Sequence, residues 1–284
     1  MAFKIDKDTQ IGAVALTVSD LDKSISFYEK SLGFKTRTRS GSDAELGTDT
    51  LTLIKLHEKK DAQHPHGTAG LYHFAVLTPN RFELGQVLAN LIRTQTPVQG
   101  FADHGVSEAI YLPDPDGNGI EMYRDRPRDE WPRTPDGAIT MVTDPLDLEG
   151  ILQGVEGKTD GWTHLHPDTR MGHMHLKVSQ VDPAEAFYRD VLGFDVIKNL
   201  HSASFISAGG YHHHLGMNVW ESRSGPPQSP DAVGLRWYEI KLPTEAALGQ
   251  TADAARKAGS EFEETNDGLL LRDPSQNGVM LVSG

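Results

Sequence analysis

The sequence FYEKSLGF at residues 27–34 is repeated as FYRDVLGF at residues 187–194, which indicates that the fold contains a duplication. Each copy follows an apolar run and an Asp-containing turn, which read IGAVALTVSDLD from Ile11 and MGHMHLKVSQVD from Met171. An internal repeat indicates how many structural units a chain contains. The two halves of the chain begin alike.

The two halves also end alike, with DPDGNGIEMY from Asp114 and DPSQNGVMLV from Asp273. Each half divides again, because GLYHFAVLTP from Gly70 and GLRWYEIKLP from Gly234 repeat the pattern of an apolar strand followed by a helix. The DPDGNG stretch is typical of a tight turn that reverses two strands, since Pro presets one dihedral and Gly or Asn accepts the left-handed one. The sequence predicts an α+β fold of four modules.

The length of 284 residues allows two domains, each with its own hydrophobic core. We predict a first domain at residues 1–126 and a second at residues 169–284, with modules one and two in the first and modules three and four in the second. Residues 127–168 are rich in Pro, Gly, Asp and Trp and lack clear periodicity, which predicts a linker that packs on the surface.

Composition excludes several classes of protein. The chain has no cysteine, so disulfides, thiol nucleophiles and iron–sulfur ligation are excluded, and any metal must be bound by His and carboxylate. A formal charge of -13 disfavours nucleic acid and anionic membranes as partners. The sequence shows neither a signal peptide pattern nor an apolar run long enough to cross a bilayer, so we expect a cytoplasmic protein with no membrane partner.

Setting the first strands of the four modules in register brings out two histidines. The residue that precedes the apolar run is Ala13 in module one, His73 in module two, His173 in module three and Trp237 in module four. Two modules of four therefore offer an imidazole at the same place in the fold.

The last strand of each half offers one carboxylate, since Glu121 in NGIEMY stands opposite Met280 in NGVMLV. Strand alternation alone would allow Glu121 to face solvent. A buried carboxylate is costly unless it is paired or bound to a metal, and His73 lies in the same module. With His173 from the next module, the two form a set of two histidines and one carboxylate, which leaves open positions on iron.

The modules could pair in two ways. If module two shares a sheet with module three, and module one with module four, the three ligands meet at one site. If modules one and two share a sheet, and modules three and four another, the ligands are divided between two sites. We expect the first arrangement, because only that one assembles the complete set.

The chain resembles the vicinal oxygen chelate superfamily, and within it most closely the catechol 2,3-dioxygenases of Bacillus type. The resemblance extends over nearly the whole chain except the linker, and the combination of motifs is specific although no single one is. The segments that carry it are IGAVALTVSDLDKSISFYEKSLGF, GLYHFAVLTP, LPDPDGNGIEMYRDRP, MGHMHLKVSQVDPAEAFYRDVLGF and SAGGYHHHLGMNVW.

The resemblance implies four βαβββ modules in two curved, barrel-like mixed sheets. It also implies Fe(II), or Mn(II) in its place, at His73, His173 and Glu121, and a reaction of O2 with a small aromatic diol in aromatic catabolism. The chain departs from the better-known extradiol enzymes, whose ligands come from the third and fourth modules, where this chain has Trp237 and Met280.

Extradiol enzymes have a histidine that acts as acid and base in catalysis, near the end of the strand after the first ligand. The three histidines at residues 212–214 are the candidates for this role. His214 fits that place best. Strand alternation would turn His212 and His214 to one face and His213 to the other, and we expect His212 to contact substrate. A solvated surface turn is the alternative for this run.

Further roles follow from the same resemblance. Tyr111 precedes Glu121 across the DPDGNG turn and is expected to bind the substrate through its hydroxyl, although a Tyr in a strand can also be simply core. His104 resembles another catalytic histidine of the family. His175, two residues after His173, would share its face and line the substrate pocket.

Two rival functions remain at this point. A glyoxalase-like isomerase of the same fold uses four protein ligands, including two glutamates, and GMNVW in module three contains no carboxylate. A metal-free binding or resistance protein of the same fold would lose its ligands, whereas this chain keeps a full set. The resemblance also implies a homo-oligomer.

Overall fold

The computed structural model describes residues 3–284, and within them sixteen strands and five α-helices form the secondary structure. The strands are β1 (Gln10–Val18), β2 (Lys35–Ser40), β3 (Asp43–Gly47), β4 (Thr52–Glu58), β5 (Gly70–Leu77), β6 (Gly100–Asp103), β7 (Ser107–Pro113), β8 (Gly119–Asp125), β9 (Arg170–Lys177), β10 (Asp195–Leu200), β11 (Ala203–Ser207), β12 (Leu215–Asn218), β13 (Gly234–Leu242), β14 (Glu263–Glu264), β15 (Leu269–Arg272) and β16 (Gly278–Ser283). The helices are α1 (Leu21–Leu32), α2 (Arg81–Arg93), α3 (Leu148–Val155), α4 (Val181–Ala186) and α5 (Glu245–Lys257). Helix α4 continues as a π-helical turn over Phe187–Val191. In the described part of the chain, no helix is long and apolar enough to cross a membrane.

The order of elements confirms the four predicted modules, since a strand, a helix and three strands follow one another four times. The strands form two mixed, curled eight-stranded sheets, which confirms the α+β fold class. The first sheet has the order β14-β15-β16-β13-β1-β4-β3-β2, and the second has the order β10-β11-β12-β9-β5-β8-β7-β6.

Sheet membership decides between the two arrangements of the modules. The second sheet takes β5 to β8 from module two and β9 to β12 from module three, and β9 neighbours β5. The first sheet takes its strands from modules one and four. The predicted pairing of module two with module three is confirmed.

Within a module the first and last strands lie side by side in parallel. This holds for β5 and β8, for β9 and β12, and for β13 and β16. The last three strands of a module then form an antiparallel meander, as β7 and β8 do across the predicted DPDGNG turn. The parallel pairing matters for function, because it places the start of a module's last strand beside the middle of its first, as Gly119 lies beside His73.

The backbone divides into two compact units. The first comprises Met1–Thr17, Ala62–Tyr72 and Gly172–Gly284, and in it α5 packs on β13 and β16. The second comprises Val18–Asp61 and His73–Met171, and in it α2 packs on α1, α3 and β8. The domain boundaries predicted at residues 126 and 169 stay a prediction.

The stretch predicted as a linker contains a helix that its sequence did not predict. Helix α3 begins after Asp147, whose carboxylate accepts a hydrogen bond from the backbone N–H of Gly150, and it buries Ile151 and Val155. Trp131, in the same stretch, is buried and donates its indole N–H to the carbonyl of Arg126. Much of the stretch is thus packed against the fold.

The repeated FY motif is anchored by a buried hydrogen bond in each half of the chain. The hydroxyl of Tyr28 donates to Asp114 over 3.0 Å, and that of Tyr188 donates to Asp273 over 3.1 Å. Burial raises the pKa of the Tyr28 hydroxyl well above its ordinary value, and burial also raises the pKa of the Asp114 carboxyl. Each helix that carries the motif is therefore tied to the turn that closes the same half.

We predict that Tyr28→Phe lowers the free energy of unfolding by about 1–3 kcal/mol, because the buried carboxylate of Asp114 loses one of its donors. Urea denaturation followed by circular dichroism measures the change. Lys23→Ala, at an exposed position of the same helix, should alter stability by less than about 0.5 kcal/mol. Equal stability of Tyr28→Phe and the wild type would show that the bond does not anchor the helix.

Candidate metal centre and active site

His73 and Glu121 lie on the same face of the second sheet because of the parallel register of β5 and β8. Ala75 is the register partner of Glu121, and His73 precedes Ala75 by two residues. Residues two apart on a strand share a face. The Nε2 atom of His73 is 3.1 Å from a carboxylate oxygen of Glu121.

Glu121 is buried, with 2% of its surface exposed, so the alternative of a solvent-facing side chain is wrong. Its strand neighbours Ile120 and Met122 are buried as well, because β8 is covered on both faces. A carboxylate at such a place needs a compensating cation or hydrogen-bond donors.

His173 completes a group that could hold a metal ion. Each of the three residues His73, Glu121 and His173 offers one ligand atom, and these atoms lie within 4.8 Å of one another. All three residues are buried. This is the group in which the sequence comparison predicted metal ligands. Two imidazoles and one carboxylate at this spacing fit a divalent metal ion and leave coordination positions for other ligands.

Tyr111 lies beside this group because it is the register partner of Glu121 on the antiparallel strand β7. Its ring is 5.7 Å from that of His73, and it packs on a small apolar cluster that includes Ala75 and Tyr123. The predicted position of the phenol near the candidate ligands agrees with this register.

His104 holds the hydroxyl of Tyr111. Its Nδ1 atom is 2.7 Å from the backbone carbonyl of Val142, which can only accept, so Nδ1 carries the proton. Its Nε2 atom, 2.8 Å from the hydroxyl of Tyr111, is then the acceptor in the neutral ring. The hydroxyl of Tyr111 thus donates its hydrogen bond to Nε2 of His104.

The three histidines at residues 212–214 lie outside regular strand, since β12 begins at Leu215. The strand predicted for them is therefore wrong, and the directions in which the three rings face stay a prediction. His213 is half-buried, and its ring centroid lies 4.2 Å from that of His173. His212 is fully buried, with its ring 6.2 Å from that of His173, and its Nδ1 atom is 3.0 Å from Nδ1 of His213.

His214 is fixed by the loop that precedes it. Its Nδ1 atom accepts a hydrogen bond from the backbone N–H of Ala208 over 3.1 Å, and its ring packs 4.9 Å from that of Tyr211. Of the three neighbouring histidines, His213 has its ring nearest to the candidate ligand His173. The sequence could not distinguish them, because the loop's own contacts determine how they point.

His175 is buried on β9, two residues after His173, and its Nε2 atom is 3.0 Å from the side-chain amide of Asn218. Three aromatic rings surround it, which sequence reasoning did not single out. They belong to Tyr72, Phe205 and Trp220. The only sequence signal was that Trp220 follows the HHHLGMNV strand directly.

A family model and a curated relative both place the chain in one superfamily. The model of the Glyoxalase/Bleomycin resistance protein/Dioxygenase superfamily matches residues 10–122 and 170–281. A catechol-2,3-dioxygenase from Bacillus subtilis (strain 168) is 44% identical over 275 residues, which are 95% of this chain and 95% of that protein.

Solved structures share the fold at low sequence identity. A protein from Bacillus subtilis subsp. subtilis str. 168 has a TM-score of 0.66 at 12% identity and is matched over 99% of this chain and 86% of its own. Glyoxalase I from Zea mays has a TM-score of 0.58 at 15% identity, over 97% of this chain and 92% of its own. At such identities the likeness concerns the fold alone.

We predict that Glu121→Ala weakens the binding of a divalent metal ion by more than about 100-fold, because losing even a residue that only supports a ligand costs about 10–100-fold in metal affinity. Anaerobic titration with Fe(II), followed by metal analysis of the desalted protein, measures the change. His64→Ala, at an exposed histidine, serves as the control and should bind like the wild type. Unchanged iron binding by Glu121→Ala would remove Glu121 from the ligand set.

Proposed function

The chain belongs to the glyoxalase/bleomycin resistance protein/dioxygenase superfamily, and from that premise we propose that it is an Fe(II)-dependent extradiol dioxygenase. It opens catechol or a substituted catechol with O2 to a product of the 2-hydroxymuconic semialdehyde type. The observation that carries the proposal is the buried group of His73, Glu121 and His173. The 44% identity to a catechol-2,3-dioxygenase supports the same reaction.

His73, His173 and Glu121 would hold the metal. Ferrous iron held by two histidines and one carboxylate would have open positions for both hydroxyls of a catechol and for O2. It would also favour loss of the hydroxyl protons of the catechol. Mn(II) accepts the same donors. The donor set supports this reaction over a glyoxalase-like isomerization, since the group contains one carboxylate rather than two.

A base beside the ligands has to accept a proton from the catechol. We propose His213 for this role, because its ring is half-buried and its centroid lies 4.2 Å from that of His173. His214, which fits the family pattern best, already accepts a hydrogen bond from the backbone of Ala208. A neutral imidazole is suited to proton transfer near pH 7. His212, fully buried between its neighbours, orients His213 in this proposal.

Tyr111 and His104 serve the other proton transfer in this proposal, in which a proton is donated to the substrate. The hydroxyl of Tyr111 can shift from His104 to an oxygen of the substrate and remain a donor. His104, anchored at the carbonyl of Val142, keeps the phenol in place, so that the hydroxyl proton of Tyr111 is available to the substrate as the ring opens. His175, two residues after His173 on β9, lines the substrate site in this proposal.

We predict that iron-loaded protein consumes one O2 per catechol, and that both oxygen atoms of labelled dioxygen appear in the product, which has the summed composition of catechol and O2. An oxygen electrode and mass spectrometry measure this. His173→Ala should lower kcat/KM by at least about 1,000-fold, since several kcal/mol of stabilisation depend on the bound metal. His164→Ala, at an exposed histidine, should retain activity.

One result of the oxygen-uptake assay would contradict the proposed function. Protein shown to contain iron, yet consuming no O2 with catechol or with its alkyl- and aryl-substituted forms, would exclude ring cleavage.

We predict that His213→Gln lowers kcat by about 100- to 10,000-fold, the usual contribution of a general base, whereas His214→Gln has a smaller effect. Both variants are assayed after their iron content has been shown to equal that of the wild type, which separates proton transfer from metal loss. A larger loss in His214→Gln would assign the base to His214.

A further inference from the structure

An open groove of about 560 Å³ lies beside helices α1 and α2, within the second compact unit. Among the described residues that line it, three carry a positive charge and none carries a negative one. The three are Lys23 and Lys30 of α1 and Arg93 of α2. We call it the basic groove. It stands out in a chain with a formal charge of -13, and it shares no residue with the candidate metal centre.

One face of α1 forms a side of the basic groove. Its lining residues recur at intervals of three and four, which places them on the same side of the helix, and they are Lys23, Ser26, Phe27 and Lys30. Lys23 and Lys30 are two turns apart, which corresponds to about 10 Å along the helix axis. Both lysines are exposed, whereas Ser26 and Phe27 between them are half-buried. The groove therefore has a lysine at each end of this side.

The carboxylates of α1 do not neutralise these lysines, because they bind residues of β2. Asp22 forms an ion pair with Arg39 at 2.6 Å, and Glu29 accepts a hydrogen bond from the hydroxyl of Thr36 over 2.8 Å. Within residues 3–284, neither lysine of the groove forms an ion pair. The positive charge of this face is thus left for a ligand.

Asn90 fixes the third cation beside the end of α1. Its side-chain amide donates to the backbone carbonyls of Lys30 and Ser31 over 2.9 Å and 2.8 Å, which ties α2 to the last turn of α1. Its side-chain carbonyl accepts a hydrogen bond from the guanidinium of Arg93, one turn further along α2. A guanidinium has five N–H donors, so Arg93 retains others for a ligand.

The helix dipole accounts for only two of the three cations. Lys30 and Arg93 lie in the last turns of their helices, where a positive charge is stabilised. Lys23 lies in the first turn of α1, where the dipole favours a negative charge instead. The presence of Lys23 on the groove face therefore needs another reason.

The duplicated half contains the same groove with different charges. In the FY motif, Lys30 corresponds to Asp190, and Arg93 corresponds to Lys257, since each ends a helix of 13 residues. The groove at that place in the first compact unit has a volume of about 530 Å³, and it is lined by Asp190 and Asp253 beside Lys257. The fold alone thus produces a groove at this place in each half, but only the one beside α1 and α2 is lined by cations alone.

We propose that the basic groove is a binding site for a small polyanion of the phosphate type, such as a diphosphate group. Two anionic groups match the arrangement of the cations, with Lys23 at one end and Lys30 with Arg93 at the other. Phosphate oxygens accept hydrogen bonds from several directions, and the guanidinium fork fits them well. The volume falls within the range of roughly 300–1,000 Å³ in which proteins bind small molecules. This inference does not depend on the proposed function.

Isothermal titration of the full chain with inorganic diphosphate, in a buffer free of phosphate and added metal, tests the site. Lys30→Asp installs the residue found at the same place in the other half and should raise the dissociation constant by about tenfold, because an attraction becomes a repulsion. Lys257→Asp makes the same change in net charge in the other groove. It should alter the dissociation constant by less than about twofold, since exposed charges beyond a Debye length are screened.

Citrate, a tricarboxylate that also chelates metal ions, serves as the comparison ligand and should bind more weakly than diphosphate. Tighter binding of an organic diphosphate ester than of the free ion would support an organic ligand, and equal binding would support the free ion. The proposal is overturned if diphosphate does not bind at millimolar concentration, if Lys30→Asp and Lys257→Asp have equal effects, or if citrate binds as tightly as diphosphate.

Discussion

The buried carboxylate of Glu121 is the constraint on which the site depends. It lies in a strand covered on both faces, 2% exposed, where an uncompensated charge would cost several kcal/mol. Strands β5 and β8 run in parallel, so that His73 and Glu121 share a face, and β9 follows β5 in the same sheet. Two imidazoles and one carboxylate can then share a cation. The βαβββ module, repeated four times, is what brings the last strand of a module beside its first.

The repeat made much of this predictable. The FY and DP motifs recur because each half uses the same anchor, a tyrosine hydroxyl bound to the aspartate of the closing turn, as in Tyr28 with Asp114. The candidate ligands could be predicted because residues at equal places in different modules are directly comparable. Only His73 and His173 stand out in the first strands, and only Glu121 in the last ones of the two halves. The pairing of modules two and three followed from requiring these ligands to meet.

What could not be predicted depends on contacts between segments distant in sequence. The conformation of residues 211–214 is determined by bonds such as that from Ala208 to His214, so an alternation rule for strands did not apply. Helix α3 is short and contains two glycines, but Asp147 caps it and also binds Arg81, and its apolar side chains are buried against the fold. The aromatic rings around His175 could not be predicted, because Tyr72, Phe205 and Trp220 come from three separate segments. No single segment indicates that the other two lie beside it.

Anomalous diffraction at the iron absorption edge, from crystals grown anaerobically with Fe(II), would locate the metal among the side chains. We expect one strong peak, about 2.0–2.3 Å from an imidazole nitrogen of His73, an imidazole nitrogen of His173 and a carboxylate oxygen of Glu121, as in other sites of His and carboxylate ligands. A peak bound by other residues, or an ordered protein with no peak at these three, would contradict it.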